Sequence, residues 1–242
     1  MEIIVQKYGG SSVADTEKLK IVCTHIIREV KKGKKLVVVV SAQGKTTDKL
    51  IQEEQEITKN PCKREHDMLV SVGEQITIAK LSMLLKEKGY NSISYLGWQI
   101  PIITDSNFGD ANILKVEDEK ILKSLKENKI VIVAGFQGID KDFNITTLGR
   151  GGSDTTAIAL ADKLKAEKCE IFTDVDGVYA EDPNINKEAK KYNTISYDKM
   201  LEMANNGAKV LHNKCVKLAK EKNVLIIVKS TFLEASTGTI VG

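Results

Sequence analysis

The sequence predicts an α/β fold, a three-layer α/β/α sandwich around a mostly parallel central sheet. Two observations carry this. Apolar runs of strand length alternate with stretches of about ten residues or more whose apolar positions recur at helical spacing, the pattern of strands joined by crossover helices. One of those runs, residues 35–41, holds four consecutive valines, as expected of a strand buried on both faces.

The elements follow in order. Residues 2–5 open as a short apolar strand, and Gly9-Gly10 end the segment. Residues 15–32 place Leu19, Val22, Cys23, Ile26, Ile27 and Val30 on one helical face, with Gly33 as its C-cap. After the valine strand, a helix follows Asp48 and another spans 64–88, closed by Gly89. Strands are expected at 92–96, 100–104, 130–134 and 169–173, with a helix at 114–128 between the second and third of these. Residues 153–165, 197–205 and 207–222 read as helices, and 224–228 as a last strand. Repeats, low-complexity tracts and Pro/Gly/Ser linkers are absent from the sequence.

Composition narrows the function. The chain has 242 residues, 42% of them hydrophobic, enough for a large core. Its net charge of +3 comes from intermixed acids and bases, which gives no case for nucleic acid or a membrane surface. No continuous apolar run approaches the ~18–20 residues of a membrane span, and the first residues lack a signal peptide's apolar region. Cys23, Cys62, Cys169 and Cys215 are far apart, so free thiols in a reducing cytoplasm are the expectation. His25, His66 and His212 form no metal-spaced cluster.

Ligands in such sheets sit beyond the carboxyl ends of the strands, and four polar or glycine-rich loops fall there. Lys7-Tyr8-Gly9-Gly10-Ser11-Ser12 could bring backbone N–H groups and a lysine to an anion; a tight turn with a solvated lysine has the same signature. Ser41-Ala42-Gln43-Gly44-Lys45-Thr46-Thr47 is no P-loop, because the required earlier glycine is Val39. Its Ser41 and Thr47 are candidate ligand hydroxyls or ordinary caps. In Thr147-Leu148-Gly149-Arg150-Gly151-Gly152-Ser153-Asp154, three glycines flank one arginine just before a helix, a helix-terminus anion site with a guanidinium fork. Thr173-Asp174-Val175-Asp176-Gly177-Val178-Tyr179-Ala180-Glu181-Asp182-Pro183 lacks the order of a calcium loop and suits a nucleotide with magnesium on its phosphates, or an acidic surface turn. Glu74 and Lys209, taken alone, read as solvated side chains.

Together these motifs resemble the aspartate kinases of the amino-acid kinase superfamily. Lys-Tyr-Gly-Gly-Ser-Ser-Val, Val-Val-Ser-Ala-Gln-Gly-Lys-Thr-Thr-Asp, Gly-Arg-Gly-Gly-Ser-Asp and Thr-Asp-Val-Asp-Gly-Val-Tyr occur in the family's order over nearly the whole chain. The resemblance implies the amino-acid kinase fold and one reaction: L-aspartate and ATP give 4-phospho-L-aspartate and ADP, the first step towards lysine, threonine and methionine. It implies that Lys7, Tyr8, Gly9 and Gly10 hold the ATP phosphates, with Lys7 on the transferred group. Thr173, Asp174, Tyr179, Lys209 and Val210 would hold the nucleotide. Ser41, Thr47, Glu74, Arg150, Gly151, Gly152 and Ser153 would line the aspartate site, with Glu74 on the amino group and Arg150 on a carboxylate. Asp154 would orient the catalytic lysine.

Further implications are Mg²⁺ carried on the phosphates and no metal held by protein side chains, a homodimer, a cytoplasmic location, and a single catalytic domain over 1–242. Residues 1–146 would mainly bind aspartate and 147–242 mainly the nucleotide. The family's C-terminal ACT regulatory domains have no counterpart here, which leaves room for a separate ACT-bearing subunit. Asn184 and Asn213 stand where the family commonly has arginine and proline. Two other readings compete: a superfamily kinase acting on N-acetylglutamate, glutamate, carbamate or UMP, and a non-catalytic binding subunit of the same fold. An N-acetylated substrate would offer Glu74 no ammonium.

Overall fold

Strand β1 (Ile3–Tyr8) is buried along its whole length because it lies between two parallel neighbours, β2 (Lys35–Val40) and β9 (Lys168–Thr173). A computed structural model describes residues 2–181, 186, 188–207, 210–233 and 237–242. In chain order, β1 leads through a 3₁₀ turn into α1 (Thr16–Lys31), β2, α2 (Thr46–Ile57), α3 (Lys63–Val70) and α4 (Val72–Glu87). Next come β3 (Ser92–Tyr95), β4 (Ile102–Thr104), β5 (Ile113–Val116), α5 (Glu119–Lys126), β6 (Ile130–Ala134), β7 (Gln137–Ile139) and β8 (Ile145–Thr147). Then follow α6 (Gly152–Lys163), β9, β10 (Thr194–Ile195), α7 (Tyr197–Asn205), α8 (Asn213–Lys222), β11 (Ile226–Ser230) and β12 (Thr239–Val241).

The main sheet has eight strands in the order β10-β12-β11-β9-β1-β2-β6-β3. Every pairing in it is parallel except β11 with β12. Strand alternation sorts its side chains into two cores. Ile3, Val5, Val37, Val39, Val131 and Val133 pack with Ala157 and Leu160 of α6, Val216 of α8 and Ile121 of α5. Ile4, Tyr8, Val38, Val40 and Ile132 pack on the other face with Leu19 and Ile26 of α1 and Leu81 of α4. This is the expected three-layer sandwich, with β1 at its centre.

Several elements differ from expectation, each for a physical reason. Strand β1 runs on through Lys7 and Tyr8, so neither is a loop residue. A strand buried on both faces shows no alternation to mark its end. The 64–88 helix is two helices broken at Ser71, because apolar periodicity passes through the junction. Residues 114–116, expected in a helix, form β5. The helix expected from Gly207 begins at Asn213.

A second sheet, β5-β4-β7-β8, was not expected at all. Only β4 matches an expected strand, at 100–104; β7 and β8 are too short to carry a period. By length and composition, Lys63–Glu87 could cross a membrane. Here it is a pair of core helices, with Asp67 and Glu74 buried in it and α4 seated on β3 and β6.

Candidate functional site

The carboxyl ends of β1, β2 and β9, the start of α4 and the start of α6 supply the predicted residues. Lys7 points from β1 toward α6, and its Nζ lies 2.6 Å from Asp154 Oδ1 in the first turn of that helix. Both side chains are 11% exposed. Oδ1 makes no aligned hydrogen bond, so the pair is a close charge contact rather than a directed bond. A Cβ at Gly9 would sit 3.5 Å from Lys7 Nζ, which places the ammonium directly under the glycine turn. Gly10 accepts from the Gly44 N–H at 3.0 Å and joins this turn to the loop after β2.

Tyr8 borders the expected phosphate loop by its backbone alone. Its ring points to the opposite core from Lys7, is fully buried and stacks on Phe172 with centroids 4.6 Å apart. Successive strand residues face opposite ways, so the phenol cannot share the lysine's ligand, and only the Tyr8 backbone borders the loops.

Glu74 is 3% exposed. Its Oε1 accepts from the Ala42 N–H at 2.9 Å, and its Oε2 is buried with no partner. Burial pushes the carboxyl up to about 7, against the opposing pull of the Ala42 and Glu74 N–H groups. Gly73 makes this possible, since a Cβ there would stand 2.6 Å from the Ala42 side chain. Only glycine lets the first turn of α4 close on the loop that carries Ser41. The buried Glu170 on β9 is the contrast. Burial would raise it too, yet Lys229, Gln6 and Lys168 hold it below the ordinary glutamate range. Glu170 is satisfied, and Glu74 is one partner short.

Around α6, Gly151 caps the helix at φ +72° and packs on the His212 ring, a conformation that costs a Cβ-bearing residue. Ser153 is 7% exposed. Arg150, between Gly149 and Gly151, is exposed and has no acidic partner among the described residues. The N–H groups of the first turn and this free guanidinium form one positive locus. Thr47 lies half-buried in the first turn of α2. Gln43 braces its loop by donating to Val13 O at 2.8 Å and accepting from Lys80 at 2.7 Å.

At the end of β9, Thr173 Oγ1 donates to Asp174 Oδ1 at 2.9 Å, and its carbonyl accepts from Thr231 N–H. Tyr179 donates to Asp176, which also pairs with Lys191 at 2.9 Å. The hydrogen bond to Asp176 pushes the Tyr179 hydroxyl up to about 12. Val210 packs against the α6–α8 core. Lys209 and Asn184 lie outside the described residues. Sequence reasoning passed over two buttresses, Asp67 on α3 and Lys214 on α8. Their partners are dozens of residues away, and no local pattern marks them.

The sequence pattern of the amino acid kinase family matches residues 2–230. An aspartokinase from Bacillus sp. (strain MGA3) is 56% identical over 241 residues, covering all of this chain and 58% of the relative. Aspartokinase 2 of Bacillus subtilis is 52% identical over 241 residues, again covering the whole chain and 59% of the relative. The chain thus spans a little under three fifths of these relatives. Among solved structures, aspartate kinase from Synechocystis has a TM-score of 0.87 at 46% identity, over 98% of this chain and 39% of that one. Escherichia coli aspartokinase III in complex with aspartate and ADP has a TM-score of 0.89 at 28% identity, over 99% of this chain and 64% of that one. A UMP kinase from Bacillus anthracis, at 19% identity and TM-score 0.71, shares the fold alone.

Proposed function

The chain belongs to the amino acid kinase family, and we propose that it transfers the γ-phosphoryl group of ATP to the side-chain carboxylate of L-aspartate. One observation narrows the acceptor to a free amino acid: Glu74 presents a buried carboxylate oxygen with no partner among the described residues. An ammonium group completes it, and aspartate has one. N-acetylglutamate and UMP do not, and either would leave a buried charge unmatched. The relatives named above and the aspartate–ADP complex support the same reading.

The chemistry follows from the acceptor. A carboxylate with an ordinary pKa of ~3.9 is already ionised at neutral pH, so no general base is needed. One of its oxygens forms a bond to the γ-phosphorus while the bond to the ADP oxygen breaks, leaving an acyl phosphate. The obstacle is charge repulsion, which positioning and fixed positive charge reduce. Lys7, held by Asp154, neutralises the group in flight. Gly9 and Gly10 bring N–H groups close, and Thr173, Asp174, Tyr179 and Val210 hold the nucleotide. Arg150 grips a carboxylate of the acceptor beside Ser153, and Glu74 takes its ammonium. Magnesium enters as part of the substrate, on the phosphate oxygens. In this scheme residues 1–146 mainly carry the acceptor and 147–242 mainly the nucleotide.

The test is to follow ADP release with ATP and a panel of aspartate, glutamate, N-acetylglutamate and UMP, and to trap with hydroxylamine the acyl phosphate that the carboxylate acceptors form. Aspartate should give the largest kcat/KM. One methylene is worth ~1–3 kcal/mol in a pocket, and a longer acceptor also misplaces the attacking oxygen. Turnover of UMP or N-acetylglutamate with none of aspartate would overturn the proposal. A second expectation concerns Arg150→Lys. The guanidinium fork makes two parallel bonds to a carboxylate and an ammonium cannot. The aspartate KM should rise about tenfold or more while the ATP KM stays within about twofold. A selective rise in the ATP KM would move Arg150 to the nucleotide side.

A further inference from the structure

Asp67, on α3, is fully buried and pairs with no cation among the described residues. Its carboxylate instead gathers three donors from two distant segments. Oδ2 accepts from Thr147 N–H at 2.7 Å and Gly109 N–H at 3.0 Å, and Oδ1 accepts from the Thr147 hydroxyl at 2.8 Å. Thr147 ends β8 and stands three residues before Arg150.

The same stretch is pinned residue by residue. Ala111 N–H donates to Thr147 O at 2.9 Å, and Leu148 N–H to Phe136 O at 2.9 Å. Lys214 ties Leu148 O to Ala111 O and Asp110 Oδ1. A Cβ on Gly149 would fall 2.6 Å from Asp110 Oδ1 and 3.2 Å from Gly109 O, so Gly149 rests directly on the segment whose N–H Asp67 also holds. The fixing ends there, since Arg150 itself is exposed and unpartnered among the described residues.

Along the chain, Asp67 on α3 is seven residues before Glu74 on α4. Only Ser71 separates α3 from α4, and its backbone stays helical at φ −71°, ψ −13°. Seven residues is two turns, so Asp67 and Glu74 share a face of a nearly continuous rod. The carboxylate therefore joins the element that bears Glu74 to the loop that bears Arg150.

We infer that Asp67 is a positioning residue that sets the span between Glu74 and Arg150, and through that span the length of amino-acid acceptor the site takes. The inference rests on the aspartate reading above. If Asp67 only supports the fold, its loss lowers stability and moves the kinetic constants of both substrates alike. If it sets the span, the aspartate constants move alone and the preference for aspartate over glutamate narrows.

The experiment compares Asp67→Ala and Asp67→Asn with wild type in the acyl-phosphate assay, with aspartate and glutamate as acceptors, and measures the ATP KM in parallel. Asp67→Ala should raise the aspartate KM at least about tenfold and reduce the aspartate-to-glutamate ratio of kcat/KM at least about threefold, with the ATP KM within about twofold. Asn keeps one carbonyl oxygen for the two N–H donors and can turn its amide toward the Thr147 hydroxyl, so Asp67→Asn should return the aspartate KM to within about threefold of wild type. An aspartate KM unchanged in Asp67→Ala, or aspartate and ATP constants rising together, overturns the inference. Should Asp67→Ala not fold, Thr147→Val removes one bond of the three. A smaller rise confined to aspartate supports the inference, and no rise overturns it. A wild-type protein inert toward aspartate overturns this inference together with the aspartate reading. An active wild type with an indifferent Asp67→Ala overturns this inference alone.

Discussion

Lys7→Ala is expected to lower kcat by about 10²–10³-fold, the cost of removing one preorganised positive group from a developing negative charge, or ~3–4 kcal/mol. The substitution also has a structural consequence. Lys7 and Asp154 are each 11% exposed and 2.6 Å apart. Loss of the ammonium leaves a nearly buried carboxylate unmatched. Breaking a buried pair costs ~3–5 kcal/mol, and this one, still partly open to solvent, should cost less, on the order of 2 kcal/mol. The two effects separate in the double variant Lys7→Ala/Asp154→Asn. Neutralising Asp154 should recover most of the lost Tm, and activity should stay at the level of Lys7→Ala. Thermal melts and single-turnover rates on the wild type and the two variants make the comparison. If the double variant regained turnover along with its Tm, Lys7 would be a structural counter-ion to Asp154 and some other cation would serve the phosphate. Retention of more than a tenth of wild-type turnover by Lys7→Ala would lead to the same conclusion.

What could be read in advance follows the physics of each element. The valine run of β2 and the apolar run of β6 announce strands buried on both faces, and the six apolar positions of α1 announce a helix with one buried face. Those elements fix the three-layer class and place the loops. Of the second sheet only β4 is legible, as the strand expected at 100–104; β7 and β8 are three residues each, and Gln137-Gly138-Ile139 has no room for a period. Residues 114–116 mislead for a related reason, since the four residues of β5 merge into the periodicity of α5.

In the site, the glycine–arginine and lysine–glycine loops carry chemistry on their face, and the structure brings Lys7 and Asp154 into contact across 147 positions of sequence. The role of Glu74 is a different matter. In sequence it is one more helix glutamate. It becomes distinctive only when Gly73 lets α4 close on Ala42 and shuts one carboxylate oxygen away from water. Asp67 is hidden more thoroughly, because its donors lie 42 and 80 positions away.

The isolation of Glu74 leads to an expectation that links binding and stability. Burial raises its carboxyl to about 7 from an ordinary value near 4.5. The folded protein therefore holds this proton more tightly than the unfolded chain does. Stability linked to Glu74 is highest at low pH, falls as pH rises from about 4.5 to about 7, and is then level. The charge costs about 3 kcal/mol above neutrality by linkage.

Glu74→Gln should remove that cost. Its amide oxygen can still accept from Ala42 N–H, and no charge is left without a partner. The variant should melt higher than wild type at pH 8, with the gap closing by pH 5. Binding should move the opposite way. The substrate ammonium needs the carboxylate, so kcat/KM for aspartate in the wild type should fall about tenfold per pH unit below 7. Saturating aspartate should shift the midpoint lower, because the ammonium favours the ionised form. In Glu74→Gln the aspartate KM should rise about 10²-fold, the loss of one charge-assisted bond, and the pH slope should vanish. Melts across pH 5–8 with aspartate titrations at each pH test both halves. A variant less stable than wild type at pH 8, or an aspartate KM whose pH slope survives the substitution, would show that Glu74 is neither the stored charge nor the ammonium's partner.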